Sequence, residues 1–227
     1  CGQGNCKSPG KHPASEAPRG FHDATRDVDR IRTIWAAKPN RNIGLSVGAT
    51  GYGVLDIDCG NGKDGEASLV KLITIHGSLP ESWEVVTGSG GRHIYFRADK
   101  FPTNINTYGE QNVDTRGVGG YVVAPPSRHI SGGTYKWKEG RDPDNFTLAD
   151  APQWLLKTTP SSQSRDRNSG AGSHTGITRC PKSGLVIDGR ESYLRDITHA
   201  VFLTMLNESG SAPELIRLQA RVWHVFS

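Results

Sequence analysis

The stretch GVLDIDCGNG, residues 53–62, places two carboxylates at the end of an apolar run. The apolar residues predict a buried strand. Because the side chains of a strand alternate, Asp56 and Asp58 should point to one face and Ile57 to the other. Two like charges on one face repel each other. We therefore expect a solvated strand end, basic side chains between the carboxylates, or a bound divalent cation.

Composition places the chain among ordinary globular proteins. Its 227 residues are 34% hydrophobic and 22% charged, enough for one medium domain with a core plus an appendage. The 28 glycines and 13 prolines favour a turn-rich architecture with strands over a helical bundle. A net charge of +4 is compatible with a polyanionic partner.

The location of the protein is inferred from what the sequence lacks. No apolar run is long enough to span a membrane and no signal peptide is visible, so we expect no membrane partner. Four cysteines do not make a dense disulfide framework, which favours a reducing, cytoplasmic compartment. Because the chain begins at Cys1 without a methionine, we interpret it as a fragment of a longer protein.

The pattern of the first 157 residues predicts an α+β domain. One amphipathic helix should follow Asp27 as its N-cap and end before Pro39, and a second should end at Gly77. Strand, turn and strand follow one another three times, which predicts three hairpins. These are NIGLSVGA with GYGVLDID, ESWEVV with RHIYFRA, and QNVDTR with GYVVAPPS, and GTYKWK adds a further short strand.

The remainder of the chain predicts two further regions. Residues 158–183 contain almost no large apolar side chain, which is typical of a flexible linker. Over 184–227, apolar residues recur at helical spacing on both sides of NESGSAPE, which predicts a small C-terminal helical domain, incomplete if the chain is a fragment.

Asp114 in NVDTRG is the best partner for the two carboxylates, because it also ends a predicted strand before a glycine-rich turn. Three carboxylates on neighbouring strands would hold Mg²⁺ or Mn²⁺. Two such ions would activate an attacking hydroxyl and stabilise a leaving pyrophosphate. The spacing leaves a second interpretation open, in which Asp56 and Asp58 simply cap a strand end.

The segment TGSGGRHIYF, residues 87–96, predicts a cradle for a triphosphate. Glycine lets backbone N–H groups approach an anion closely, and the polar residues beside it are hydrogen-bond donors. It lacks the Gly-Lys-Ser/Thr ending of a Walker A loop. A hairpin turn that needs glycine for its backbone geometry explains the same residues. The candidate nucleotide-binding residues are Ser89, Gly90, Gly91, Arg92 and His93.

Five segments in order resemble the bifunctional primase-polymerase (prim-pol) domain of the archaeo-eukaryotic primase superfamily, over about residues 1–156. They are GKHP, GFHDATRDVDRIRTIWAAKPNRNIGLSVGA, GVLDID, VVTGSGGRHIYF and VDTRGVGGYVVAPPSRHISGGTYKW. The resemblance implies an N-terminal α/β unit fused to an RRM-like antiparallel sheet. It also implies that Asp56, Asp58 and Asp114 bind the catalytic metals. Ser89, Arg92 and His93 fall on the motif whose serine and histidine meet the phosphates of the incoming nucleotide.

The activity implied by the resemblance is that of a DNA primase and DNA polymerase, which makes and extends primers on single-stranded DNA from NTPs or dNTPs. Such domains occur in phage and plasmid replication proteins of bacterial or archaeal hosts. The C-terminal region is similar to the helical region that often precedes a helicase, so a helicase domain or subunit is an expected partner. Two alternatives use the same residues: a metal-dependent phosphohydrolase or nuclease, and a non-catalytic DNA-binding module of a replication initiator.

Two further sets of residues are candidates for binding. Cys1, Cys6 and His12 have zinc-ligand chemistry, with Cys59 or an upstream residue as the fourth ligand, and a Cys1–Cys6 disulfide as the alternative. Arg116 and Arg128 flank or follow the Asp114 segment and are candidates for contact with nucleic acid.

Overall fold

The computed structural model describes residue 6, residues 8–48 and 51–157, and the backbone of 201–203. Three α-helices lie in these ranges: α1 (Val28–Ala37), α2 (Gly65–His76) and α3 (Gln153–Leu156). The strands are β1 (Ile43–Ser46), β2 (Tyr52–Ile57), β3 (Cys59–Gly60), β4 (Lys63–Asp64), β5 (Glu84–Val86), β6 (Arg92–Arg97), β7 (Val113–Arg116), β8 (Tyr121–Ala124), β9 (Lys136–Trp137) and β10 (Val201–Leu203).

A five-stranded antiparallel sheet forms the centre of the fold, with the strand order β7-β2-β6-β5-β9. The chain leaves β2, passes through α2 and returns as β5, and β6 lies between these two strands. This is the split β-α-β arrangement, as expected for an RRM-like sheet. The α+β prediction is therefore confirmed.

The two faces of this sheet cover two separate hydrophobic cores. On one face, Leu55 and Ile57 of β2 are fully buried with residues of α2 and α3. On the other, Val54 packs into a core shared with α1 and the three-stranded sheet. The alternation predicted for β2 is confirmed, since Asp56 shares the face of Val54 and not that of Ile57.

The three-stranded antiparallel sheet has the order β10-β1-β8, and it shows that two of the predicted hairpins are wrong. β1 pairs with β8 and β2 pairs with β7, so neither β1–β2 nor β7–β8 is a hairpin. Alternating side chains and turn residues predict where a chain reverses, but four such strands can pair crosswise equally well. Only the β5–β6 hairpin is as predicted.

The C-terminal prediction requires one correction. Val201–Leu203, placed in a helix by the sequence pattern, is a strand that pairs with the edge of β1. An open strand edge supplies unpaired backbone groups that favour this pairing over a helix. The rest of the predicted linker, 158–183, and of the predicted helical domain, 184–227, lies outside the described residues.

Both predicted helices of the first domain are confirmed. Asp27 caps α1 by accepting hydrogen bonds from the backbone N–H groups of Asp29 and Arg30, and α2 ends at Gly77. Across the described ranges, no helix combines the length and the apolar character needed to cross a membrane.

Gly48 follows β1 and lies against the β7–β8 connection. A Cβ atom at Gly48 would be 2.1 Å from the backbone nitrogen of Val118 and 2.2 Å from the carbonyl carbon of Gly117. The two segments that cross between the sheets can therefore touch only because no side chain separates them.

We expect Gly48→Ala to lower the free energy of unfolding by about 3 kcal/mol or more, from left-handed backbone strain plus a clash with backbone. Gly51→Ala is the matched control. Its φ of +80° resembles the +87° of Gly48, but a Cβ there would meet nothing within 4 Å. It should cost only about 1–2 kcal/mol. Urea unfolding of both variants measures the difference, and equal losses would contradict the proposed close approach.

Candidate active site at the centre of the sheet

Three predicted site residues form a row across the central strands. Asp56 on β2 is directly opposite Asp114 on β7 and directly opposite His93 on β6. Residues opposite each other in antiparallel strands share one face of the sheet. The crosswise pairing of the strands therefore brings together carboxylates that are far apart in the sequence.

Asp58 lies one residue beyond the end of β2, where its backbone is fixed on two sides. Its N–H donates to the carbonyl of Asn112 at 2.8 Å, and its carbonyl accepts from the N–H of Gly65 at 2.9 Å. Gly65 begins α2, and a Cβ there would be 2.7 Å from the same Asp58 carbonyl. The start of the helix thus holds Asp58 beside the row.

Basic side chains balance these carboxylates. Arg116 lies 2.7 Å from Oδ2 of Asp114 and 3.6 Å from Oδ2 of Asp56. Lys63 lies 2.6 Å from Oδ2 of Asp58. The sequence predicts a solvated strand end, basic side chains or a bound cation beside the carboxylates. Among the described residues, basic side chains lie beside them.

The pKa shifts reflect this balance of burial and charge. Burial raises the pKa of Asp114 and outweighs the backbone hydrogen bond from Asn106 and the charge of Arg116, which lower it. The charges of Asp56 and Asp58 add smaller contributions in the same direction as burial. Burial would also raise the pKa of Asp56, but His93 and Arg116 outweigh it and the pKa is lowered. Neighbouring carboxylates whose pKa values shift in opposite directions are typical of functional sites.

Asp56 and His93 of this row line a cleft of about 440 Å³. The β7–β8 turn and β8 of the three-stranded sheet also line this cleft. Such a volume suits a ligand of small-molecule size. Other polar residues at the cleft are Ser8, Lys11, Asp58, Lys63, Thr87, Ser89, Thr103, Arg116, Tyr121 and Tyr135.

The predicted phosphate cradle is only partly assembled at this cleft. Ser89 and His93 line it, and the hydroxyl of Ser89 lies 3.2 Å from that of Thr87. Gly90 and Gly91 do not line it. A Cβ at Gly91 would be 2.3 Å from the carbonyl oxygen of Ile57, so this glycine lets the turn pack against the end of β2.

Arg92 is not brought to the cleft. It follows the alternation of β6, so its side chain lies on the α2 face, opposite to that of His93. There it makes a bidentate ion pair with Glu66, at 2.6 Å for each contact, and a third contact with Glu84 at 3.1 Å. Its guanidinium ties α2 to the sheet.

The remaining predicted residues lie apart from one another. Arg116 belongs to the carboxylate site, whereas Arg128 is exposed and its backbone N–H donates to Asn42. Of the predicted zinc ligands, Cys1 lies outside the described residues. Cys6 and Cys59 are free thiols, and Cys59 packs against the core beneath α2.

The donor chemistry of the site fits a hard divalent cation. Asp56 and Asp58 line one cleft, and Asp114 is directly opposite Asp56 on the same face. Carboxylate oxygens are the ligands that Mg²⁺ and Mn²⁺ prefer. Within the described ranges, no three or more His, Cys, Asp or Glu side chains lie close enough together to hold a metal ion as they stand. His12 is therefore in no such group either. Arg116 and Lys63 hold the carboxylates instead.

Three residues at the cleft have no role in this site predicted from the sequence: Lys11, Lys63 and Tyr135. Lys63 could have been placed there by the Asn61-Gly62 pair, a hairpin signal that folds β4 back onto β3 beside Asp58. Lys11 and Tyr135 lie in the segments GKHP and GGTYKW that carry the resemblance, but no turn signal there places them at the cleft. Burial raises the pKa of Tyr135 well above its usual range, as do the charges of Asp56 and Asp58.

Comparison with known proteins gives one match. The family model described as bifunctional DNA primase/polymerase, N-terminal (Prim-Pol), matches residues 5–154 of the chain. That range contains every element of the cleft. No curated protein and no solved structure shows significant similarity to the chain.

We expect Arg116→Met to lower the free energy of unfolding by about 1–3 kcal/mol, because it leaves Asp56 and Asp114 without their shared cation. Added Mn²⁺ should raise the melting temperature of this variant more than that of the wild type, since a competing positive charge is gone. Arg128→Met is the control, because this exposed side chain has no carboxylate partner among the described residues. Thermal unfolding with and without Mn²⁺ tests both statements, and similar behaviour of the two variants would contradict the role given to Arg116.

Proposed function

Because the chain belongs to the bifunctional DNA primase/polymerase family, we propose that it synthesises and extends primers on a single-stranded DNA template. The family is one of nucleotidyltransferase-type enzymes. The observation that carries the proposal is the row of Asp114, Asp56 and His93 across three strands. Asp56, His93 and Asp58 line one cleft.

In this proposal Asp56, Asp58 and Asp114 would hold Mg²⁺ or Mn²⁺. Bound divalent cations would neutralise charge on the phosphates and favour ionisation of the attacking hydroxyl. The reaction is attack of a primer 3′-hydroxyl on the α-phosphorus of the nucleotide, with pyrophosphate as the leaving group. In the first step of priming, a second nucleotide supplies the hydroxyl.

The residues of the chain position the reactants. The backbone of each carboxylate residue is fixed by its own strand or by backbone hydrogen bonds, and Arg116 and Lys63 orient oxygens of Asp114 and Asp58. Such preorganisation lowers the cost of reorganisation during the reaction. Ser89 and His93 are proposed to donate to phosphate oxygens. The His93 side chain is 6% exposed, with Nε2 lying 3.4 Å from Oδ1 of Asp56.

The biological setting is proposed on the resemblance alone. We place the activity in phage or plasmid replication in the cytoplasm of a bacterial or archaeal host. A helicase domain or subunit is the expected partner. Zinc binding by Cys1, Cys6 and His12 stays a proposal as well.

One assay tests the proposed function against a nuclease that would use the same carboxylates. The protein is incubated with single-stranded template, labelled NTPs or dNTPs and Mg²⁺ or Mn²⁺, with and without a primer. Products longer than the primer, and products formed without it, support the proposal. Degradation of the template without nucleotides, and no synthesis with them, would support a nuclease instead.

We expect Asp56→Asn, Asp58→Asn and Asp114→Asn each to reduce nucleotide incorporation by at least about a hundredfold, because each removes a charged metal ligand. The matched control is Asp64→Asn, six residues from Asp58 in this acidic stretch. Asp64 caps α2 through the N–H of Ala67, which asparagine can do equally well. Primer extension in Mg²⁺ measures all four, and near-normal extension by any of the first three would remove that residue from the metal site.

His93 and Arg92 are adjacent in sequence but should respond differently to alanine. His93→Ala should raise the half-saturating nucleotide concentration about tenfold to a hundredfold, because that is the loss of affinity expected when one charge-assisted hydrogen bond is removed. Arg92→Ala should leave that concentration unchanged and lower stability by about 1–3 kcal/mol, since it breaks the Glu66 and Glu84 pairs. Nucleotide titration at saturating template, with urea unfolding in parallel, separates the two. If His93→Ala lowers only the maximal rate, the His93 side chain acts in the chemical step and not in nucleotide binding.

A further inference from the structure

Lys11 is a basic residue that lines the cleft. In the described structure, unlike the other basic residues there, it does not neutralise one of the site carboxylates through an ion pair. Three basic side chains line the cleft: Lys11, Lys63 and Arg116. Lys63 and Arg116 form ion pairs with the site carboxylates at 2.6 and 2.7 Å. Within the part of the chain that the structure describes, Lys11 makes no ion pair.

The backbone around Lys11 is held in place by side chains from the three-stranded sheet and its flank. The hydroxyl of Tyr121, on β8, donates to the carbonyl of Lys11 at 2.7 Å. The amide of Asn42 donates to the carbonyl of Gly10 at 3.2 Å. Asn42 is 3% exposed and also bonds the backbone of Arg128 in both directions, so it is itself firmly held. These contacts fix a segment that has little core of its own at the mouth of the cleft.

Lys11 lines the cleft together with Asp56, Asp58 and His93. Its charge also reaches His129, whose pKa is lowered by burial and then by this charge. Lys11 therefore faces the same space as the carboxylates. A lysine ammonium that is half-buried in a cleft and lacks a carboxylate partner is suited to an anionic ligand.

Arg92 does not supply a positive charge to the cleft. The sequence pattern assigns the phosphate-binding cation to the β5–β6 turn, but Arg92 lies on the other face of the sheet with two glutamates. Ser89 and His93 remain at the cleft as the predicted donors. A triphosphate carries several negative charges, and the described residues that line the cleft offer one basic group not already paired to a carboxylate.

We propose that Lys11 binds the triphosphate of the incoming nucleotide. This inference rests on the proposed function, because it assigns the anion as the nucleotide substrate of the same cleft. The N-terminal segment then forms part of the binding site itself, with Tyr121 and Asn42 as the positioning residues that hold it there.

The test compares Lys11→Met with Lys11→Arg and with the exposed, distant Lys38→Met. Binding of a nucleoside triphosphate and of the matching nucleoside monophosphate is measured by calorimetry in the presence of Ca²⁺, with inorganic pyrophosphate as competitor. Lys11→Met should weaken triphosphate binding about tenfold to a hundredfold. It should change monophosphate binding less than threefold and reduce competition by pyrophosphate. Lys11→Arg should retain most of the affinity, and Lys38→Met all of it.

Each other outcome overturns the inference in a recognisable way. Equal weakening for triphosphate and monophosphate would assign Lys11 to the part that the two ligands share, which is the base, the sugar or the α-phosphate, and not to the β- and γ-phosphates. Normal nucleotide binding with weakened binding of a single-stranded oligonucleotide would assign it to the template. If the wild-type protein binds no nucleoside triphosphate and incorporates none, the proposed function fails together with this inference. If the wild type does both and Lys11→Met is normal, only the inference fails.

Discussion

The repulsion between carboxylates on one face of the central sheet is the constraint on which the rest of the site depends. Asp56 and Asp114 are directly opposite each other, and the backbone ladder of β2 and β7 prevents them from separating. The surroundings must therefore supply positive charge. Arg116 and Lys63 supply it in the described structure, and divalent cations would supply it in the proposed reaction. The same unfavourable pairing that costs stability creates affinity for a cation.

The sequence predicted which side chains share one face of the central sheet better than it predicted how the strands pair. Alternation along a single strand was enough to place Asp56 and Asp58 together and Ile57 opposite, since that depends only on local backbone geometry. The partner of β2 was not predictable in the same way. Crosswise pairing with β7 depends on contacts distant in sequence, and the turn residues near Gly48 are equally compatible with a hairpin. Asp114 is predicted as the third carboxylate because the sequence pattern places it at the end of an apolar strand, but in the structure it is the second residue of β7 and not its last.

The structure separates the residues of the β5–β6 turn that the sequence pattern groups together. The pattern predicts phosphate binding for all of them, whereas they differ in the face on which they lie and in how they pack. Arg92 follows the strand period to the α2 side, and Gly91 has no side chain because the carbonyl of Ile57 lies there. Composition identifies a turn that can approach an anion, but it does not separate the residues that contact the cleft from those that allow the turn to pack.

The pairing of β1 with β8 also sets the order in which the cleft can form. Residues 43–46 can pair with residues 121–124 only after the later segment has been synthesised. Once β8 is in place, the hydroxyl of Tyr121 donates to the carbonyl of Lys11. Closing a loop of this length is entropically costly and slows folding. During synthesis on the ribosome, both members of the Asp56–Asp58 pair emerge well before the wall that completes their cleft. The growing chain therefore carries its like charges in open water, where they are well screened, and confines them only when the last strands of the domain arrive.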